Sequence, residues 1–483
     1  MKFVAIVLAA LALSASADGD VAARRVREQM LRFSADGARR FLADMKATPG
    51  YDYAKWAPAV EEMIAWADEV KAHPEDAANQ ALYERYRRAM LANPVLDFDR
   101  ILCLKRTIDR PRYKGHAAGF LELGLRNRRG FMNINSHNHA EIFRYGYTNE
   151  IAAVTGWKDG EPRFETVYET PDGALIRDLD LDFDASRILF TTARGTNNLL
   201  SVKEVTVADR STRFVSPTDQ PDVSWWDGCY LPDSDQVILL GTGTYQFLPC
   251  EFGNMPLAVL YRRNRRTGRT DQLTYEQDSD YTPSVMADGR VLYTRWEYSD
   301  LTHYFTRRLM TMNPDGVGQL ALWGSGGWFP TFFYCARDVP GHPNLITMFA
   351  GGHHDIPEMG RMLLVDPSLA RYYPFRYDPP SREWGPVRMM LRIAAKTFPK
   401  EETGLVQEIP GWGEPVEGDI TDTLTVNQFA RGKPYLSYPW PLSDKYHLAT
   451  VKTCDDSLMG IYLVDVFDNL TLIAEFPEGM LLE

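Results

Sequence analysis

Tyr281-Thr-Pro-Ser-Val-Met-Ala-Asp288-Gly-Arg-Val291-Leu-Tyr-Thr-Arg295-Trp-Glu-Tyr298, followed by Leu309-Met-Thr-Met-Asn-Pro-Asp315-Gly316, decides the fold. The alternation predicts a strand, a tight turn at Asp288-Gly289, a strand ending in Arg295-Trp296-Glu297, a third strand and a second Asp-Gly turn. Asp-Gly marks a hairpin because the turn needs positive φ, which glycine supplies without strain. The unit recurs as Leu181-Asp-Phe-Asp184-Ala-Ser-Arg-Ile188-Leu-Phe190 and as Cys229-Tyr-Leu-Pro-Asp233-Ser-Asp-Gln-Val237-Ile-Leu-Leu240. Asp184, Asp233 and Asp288 are 49 and 55 residues apart. Weaker copies follow at Val339-Pro-Gly-His-Pro-Asn-Leu345 and Leu442-Ser-Asp444-Lys-Tyr-His-Leu448.

A period near 50 residues is that of a four-stranded propeller blade. The expected fold is mainly β: a seven-bladed β-propeller, with six or eight blades admitted, preceded by a small N-terminal helical segment. The expected divisions are a signal peptide at 1–17, a helical segment at 18–93, and a propeller at 94–483 with an insertion around 380–435 rich in Pro, Gly and Trp. Within the helical segment, Val21 to Phe41 places Val26, Met30, Phe33 and Phe41 on one face, with Gly37 filling a gap in the series. Further helices are expected over Trp56 to Val70 and Glu75 to Leu91, the last preceded by Pro74 and ended by Asn93-Pro94.

The chain has 483 residues, 45% hydrophobic and 24% charged, as an ordinary globular protein does. Its net charge of −12 argues against nucleic acid, which wants a basic face. Lys2, the apolar run Phe3 to Leu13 and Ala15-Ser-Ala17 read as a signal peptide, so a periplasmic or secreted protein with no membrane span is expected. Five cysteines are scattered singly; export permits disulfides, and Cys229 with Cys250 is one pairing that would fit within a blade, the pairing staying open. No Cys-x-x-Cys occurs, which excludes paired-cysteine zinc knuckles and covalent c-type haem at the motif level.

Two polar clusters stand out. Ser136-His137-Asn-His139-Ala-Glu141 places His137, His139 and Glu141 on one face if extended, able to ligate a metal or supply acid–base groups. Gly351-Gly-His353-His354-Asp355-Ile-Pro-Glu358 is the second, its glycines favouring a loop. Together His137, His139, Glu141, His353 and Asp355 make a candidate site for a divalent metal (Zn, Mn or Ca), with His354 a further acid–base candidate. The plainer reading of both is a polar surface loop.

Arg295 with Tyr281, Tyr298 and His303 matches what β-elimination of a uronic acid requires, namely charge neutralisation, a base and an acid. The plainer reading is a buried Arg–Glu lock between blades. Asp178, Asp180, Asp182 and Asp184 alternate along one stretch, as a cation site or as turn and solvated aspartates. Trp225-Trp226 is a candidate sugar-stacking platform for substrate binding, alongside Tyr298, with core packing as the alternative.

Asn93-Pro-Val-Leu-Asp-Phe-Asp-Arg-Ile101, Tyr230-Leu-Pro-Asp233, the Asp288-Gly to Tyr298 stretch, Met312-Asn-Pro-Asp-Gly316, Gly352-His-His354, Leu364-Val-Asp-Pro367, Tyr438-Pro-Trp-Pro-Leu-Ser443 and Ile461-Tyr-Leu-Val-Asp-Val466 resemble the middle domain of the hydrazine synthase alpha subunit family. The resemblance spans roughly residues 92 to 475 and implies a TolB-like or WD40-like propeller. That family's chemistry depends on haems held through Cys-x-x-Cys-His, a motif lacking here, so a haem-free protein is expected. The expectation is an exported propeller acting on an extracellular glycan, most concretely as a polysaccharide lyase, with metal assistance admitted; the rival is a non-catalytic ligand-binding or protein-interaction propeller.

Overall fold

The computed structural model describes residues 20–108, 144–160, 162–195, 199–232, 234–247, 256–277, 279–297, 307–323, 332–351, 360–369, 405–409, 434–454, 457–477 and 479–482. The chain opens with helices α1 (20–30), α2 (Ala35–Ala47), α3 (Tyr53–Ala65), α4 (Ala67–Ala72) and α5 (Ala77–Leu91). The single helix expected over Val21 to Phe41 is two. The Ser34 side chain accepts from Gly37 N and caps α2, and this local bond wins over the continuous apolar face. Among the described residues no helix is long and apolar enough to cross a membrane.

Strands β1 (Ile101–Ile108), β2 (Tyr147–Thr155) and β3 (Arg163–Glu169) follow. Four antiparallel meanders come next: β4–β7 (Ile176–Leu181, Arg187–Arg194, Leu199–Thr206, Thr212–Phe214), β8–β11 (Trp225–Tyr230, Gln236–Gly241, Val259–Asn264, Thr270–Gln272), β12–β15 (Asp280–Val285, Val291–Trp296, Arg307–Met312, Leu320–Trp323) and β16–β19 (Phe332–Val339, His342–Gly351, Arg361–Asp366, Leu405–Ile409). The last meander is β20–β23 (Tyr435–Pro441, Tyr446–Lys452, Met459–Asp465, Leu470–Glu475). The C-terminal strand β24 (Met480–Leu482) pairs antiparallel with β1, so β24, β1, β2 and β3 form one four-stranded unit built from both ends of the chain. Numbered from that unit as blade 1, each blade packs against the next and blade 6 against blade 1, which closes a ring with few free sheet edges.

The described strands make four four-stranded sheets and one of eight strands, which divides into the β20–β23 meander and the β24–β1–β2–β3 unit; six four-stranded units are thus described, a number the sequence reading admitted beside seven. Residues 109–143, between β1 and β2, and 370–404, between β18 and β19, lie outside the described residues. Part of the expected insertion at 380–435 supplies β19, the outer strand of blade 5.

The helices dock on blades 6 and 1. Val60, Met63, Tyr86 and Met90 share a core with Ile461, Leu463, Ile473 and Trp157. Tyr446 Oη donates to Asp44 at 2.7 Å, and buried Arg87 donates to the carbonyls of Leu472 and Ile473 at 2.6 and 2.8 Å. Those carbonyls lie on β23, so the arginine satisfies an outer strand that would otherwise offer unpaired groups.

Gly37 explains its own presence here. A methyl group at this position would collide with the Phe467 carbonyl oxygen, so the missing side chain lets α2 approach the turn between β22 and β23. Helix propensity alone predicts that Gly37→Ala stabilises by about 1 kcal/mol. The collision predicts a loss of about 1–3 kcal/mol instead, read as a lower urea midpoint.

Candidate functional site

The first strand of each of blades 2 to 6 lines the channel, and each carries the same irregularity. Asp178, Asp227, Thr282, Cys335 and Tyr438 have positive φ, and the pairing register slips at each of them. Such bulges bend a strand and re-aim its side chains. Positive φ is rare for non-glycine residues and is an outlier for β-branched Thr282, so something must hold it. The bonds between neighbouring blades do. Thr282 N donates to Asp227 Oδ2 at 3.0 Å, and Cys335 N donates to Thr282 Oγ1 at 3.1 Å. The Thr282 and Cys335 bulges are thus each latched by the side chain of the bulge before, whereas Asp227 N donates to Thr191 Oγ1 of β5 at 2.9 Å.

Where β4, β16 and β20 approach β1, the channel opens into a cavity of about 320 Å³. That is the size of a small-molecule site. Leu102, Leu179, Leu181, Leu448 and Ile461 make its apolar walls, and Arg337, Tyr438 and Trp440 bring polar and aromatic groups to it. The Arg337 guanidinium lies 4.2 Å from the Trp440 ring centre and, among the described residues, makes no ion pair or side-chain hydrogen bond. Trp440 is 44% exposed. Asp180 of β4 stands within electrostatic reach of Arg337, and its Oδ2 accepts from Tyr230 N at 2.9 Å. Asp180 is half-buried, and burial pushes its carboxyl up to about 6 against the field of Arg337, while Leu179 and Leu181 beside it line the cavity.

The residues singled out from sequence are placed differently. Arg295 is buried in blade 4, donating to Asp280 at 3.0 Å, Tyr293 at 3.2 Å and Gln319 at 3.1 Å and pairing with Glu276 at 2.9 Å. Its donors are engaged, and the lock is within one blade rather than between blades; Glu297 pairs separately with Arg308 at 3.1 Å. Tyr281 is buried in the core between blades 3 and 4. Trp225 and Trp226 are 2% and 1% exposed, so neither offers a face to a sugar. The reason is that β8 is covered on both sides. Trp225 packs edge-on against Tyr261 (4.9 Å) while Trp226 points into the opposite core.

The aspartate run does not converge on a cation either. Asp178 pairs with Arg177, Asp180 takes Tyr230 N, Asp182 pairs with Arg187, and exposed Asp184 accepts from Ser186 N in the turn. Cys229 carries a free, buried thiol, its pKa pushed up by burial and then by Asp180 and Asp227, so the candidate bridge to Cys250 is not made. His137, His139, Glu141, Tyr298, His303, His353, His354, Asp355 and Glu358 lie outside the described residues. Among the described residues no group of three or more His, Cys, Asp or Glu is placed to hold a metal.

Fold and cavity together define a β-propeller with a ligand-sized chamber in its channel. The chain matches no protein-family profile and no curated protein. Of solved structures, hydrazine synthase of Kuenenia stuttgartiensis aligns over 79% of this chain and 46% of that one, at 14% identity and a TM-score of 0.51. This chain therefore spans less than half of that relative's length. TolB from Acinetobacter baumannii aligns over 84% and 71% at 12% identity and a TM-score of 0.39, and an oligogalacturonate lyase in complex with manganese over 65% and 71% at 10% and 0.36. The likeness to hydrazine synthase is one of fold, and fold alone assigns no chemistry. The last two scores are too low to carry an argument.

Proposed function

We propose that the protein is an exported, haem-free propeller that binds a small amphipathic ligand in the channel cavity. One observation carries this reading: the Arg337 guanidinium, without an ion pair among the described residues, stacks on half-exposed Trp440 at a mostly apolar chamber whose other lining arginine, Arg100, pairs with Glu165 at 3.1 Å. Arginine on an aromatic face is suited to hold an anionic group while the walls take an apolar body. Isothermal titration with naphthalenesulfonate is expected to show binding that Arg337→Ala weakens about 10- to 100-fold, the loss of a charge-assisted contact. Unchanged affinity in that variant would sink the reading.

A second reading places metal-assisted, lyase-like action on an extracellular glycan at the histidine segments. Topology favours it. The chain leaves and re-enters blade 1 between Ile108 and Tyr147 and blade 5 between Gly351 and Gly360, in both cases between the second and third strands. The two excursions therefore start from the same end of the ring. His137, His139, Glu141, His353 and Asp355 would then supply imidazole and carboxylate ligands for Zn or Mn. Elemental analysis is expected to find one metal per chain in the wild type and none after His137→Ala with His139→Ala. Metal in neither form, with no unsaturated product from uronic-acid glycans, contradicts it.

A further inference from the structure

The run Arg262-Arg-Asn-Arg-Arg-Thr-Gly-Arg269 forms the β10–β11 hairpin on the outer side of blade 3. The matching β6–β7 hairpin of blade 2 carries Lys203, Arg210 and Arg213. The two hairpins are tied together, since Arg263 Nε donates to the Val215 carbonyl and Arg265 Nη1 to Glu204 at 2.8 Å. Their cations therefore form one surface across the seam between two blades. Carboxylates do not balance it. Glu204 is shared by Arg213 and Arg265, and Asp271 by Arg262 and Arg269. Arg266 has Asp235 at 3.0 Å, whereas among the described residues Arg210 and Arg263 make no ion pair. Even with Asp209 and Asp219 added, described cations outnumber described carboxylates here, in a chain whose net charge is −12. Arg213, Arg266 and Arg269 are mostly exposed, and exposed pairs of this kind hold a side chain only weakly.

One aromatic ring stands among these cations. Phe214, next to Arg213, is 44% exposed, with Lys203 Nζ 4.7 Å from its ring centre. We infer that the seam binds an extended anionic polysaccharide, its uronate carboxylates on Arg213, Arg266 and Arg269 and a sugar ring against Phe214. The guanidinium fork matches a carboxylate, and an exposed ring takes the apolar C–H face of a sugar. An anionic bilayer fits the surface less well. Among the described residues of the two hairpins Phe214 is the one large apolar side chain that is exposed, which leaves little to insert. Asp235 and Asp271 are interleaved with the arginines through their ion pairs, where a flat negative sheet would meet them and a single chain can pass them by. The seam lies on the outer strands, so the inference goes beyond the channel-binding reading and does not depend on it.

The test is isothermal titration of the full chain with polygalacturonate at low and at high salt, beside neutral dextran and vesicles of phosphatidylglycerol. The wild type is expected to bind polygalacturonate, about tenfold or more weakly at high salt, and to ignore dextran. Arg266→Glu with Arg269→Glu is expected to weaken binding about tenfold or more at low salt. Arg39→Glu with Arg85→Glu makes the same charge change at exposed positions of the helical arm and is expected to leave affinity unchanged. No binding of polygalacturonate by the wild type at low salt, or an affinity indifferent to salt, overturns the inference without any variant. Equal weakening by the two double variants overturns it as well, because net charge alone would then act, and so does tighter binding to the vesicles than to the polymer. Naphthalenesulfonate is expected to bind the Arg266/Arg269 variant as it binds the wild type, so the channel reading stands or falls separately.

Discussion

Glu204→Ala is expected to lower the unfolding free energy by about 3–5 kcal/mol, the loss typical of breaking a buried ion pair from one side. Glu204 of β6 is 3% exposed and joins blades 2 and 3. Its Oε2 accepts from Arg265 Nη1 at 2.8 Å and Tyr230 Oη at 3.0 Å, and its Oε1 from Arg213 Nε at 2.9 Å. Arg265 is as deeply buried and lies over the Tyr230 ring, so removing the carboxylate leaves a guanidinium in the interior without its counter-charge. Glu204→Gln keeps the shape and one acceptor and is expected to lose less. Urea denaturation decides. A loss under about 1 kcal/mol, the value of an exposed pair, would show that solvent reaches this junction.

The second large effect is on acid stability. His447 of β21 is fully buried, and among the described residues neither ring nitrogen has a partner. Burial pushes its pKa down to about 3. An unfolded histidine titrates near 6.5, so the folded state resists protonation; stability is retained above that value and falls as pH drops towards the folded pKa. The full loss approaches about 5 kcal/mol, with about 3 kcal/mol gone by pH 4. His447→Leu fills similar space without the two unpaired nitrogens. It is expected to flatten this limb relative to the wild type and to add about 1–3 kcal/mol at neutral pH. Acid limbs of equal steepness in the two proteins would contradict the assignment.

The ring was legible from turns, and its chamber was not. Asp184, Asp288 and Asp444 mark hairpins because turn chemistry is local and leaves a signature in residue type. The bulges stand six residues before those positions with equal regularity, at Asp178, Thr282 and Tyr438, yet acid, hydroxyl and phenol share no signature. At Thr282 a bond to Asp227 of the neighbouring blade enforces the backbone, which no single stretch of sequence displays. Asp180 was visible only as one of four alternating acids, and Arg337 in Tyr334-Cys-Ala-Arg337 belongs to no motif. Where each of these side chains stands depends on ring closure.

Misplaced expectations share a cause. Trp225-Trp226 and Arg295 carry the chemistry of binding sites, but a propeller strand packed on both faces turns such residues into core and lock. Gly37 read as the small residue filling a gap in one long helix face, whereas its close neighbour is 430 residues away in sequence, at Phe467.

The most direct test of the channel as the functional site is diffraction from crystals soaked in naphthalenesulfonate. The predicted result is density for the ligand in the chamber, its sulfonate within hydrogen-bond distance of Arg337 and its rings against Trp440 and Leu181. Density for the ligand elsewhere, with the chamber filled only by water and Arg337 still resting on Trp440, would contradict it.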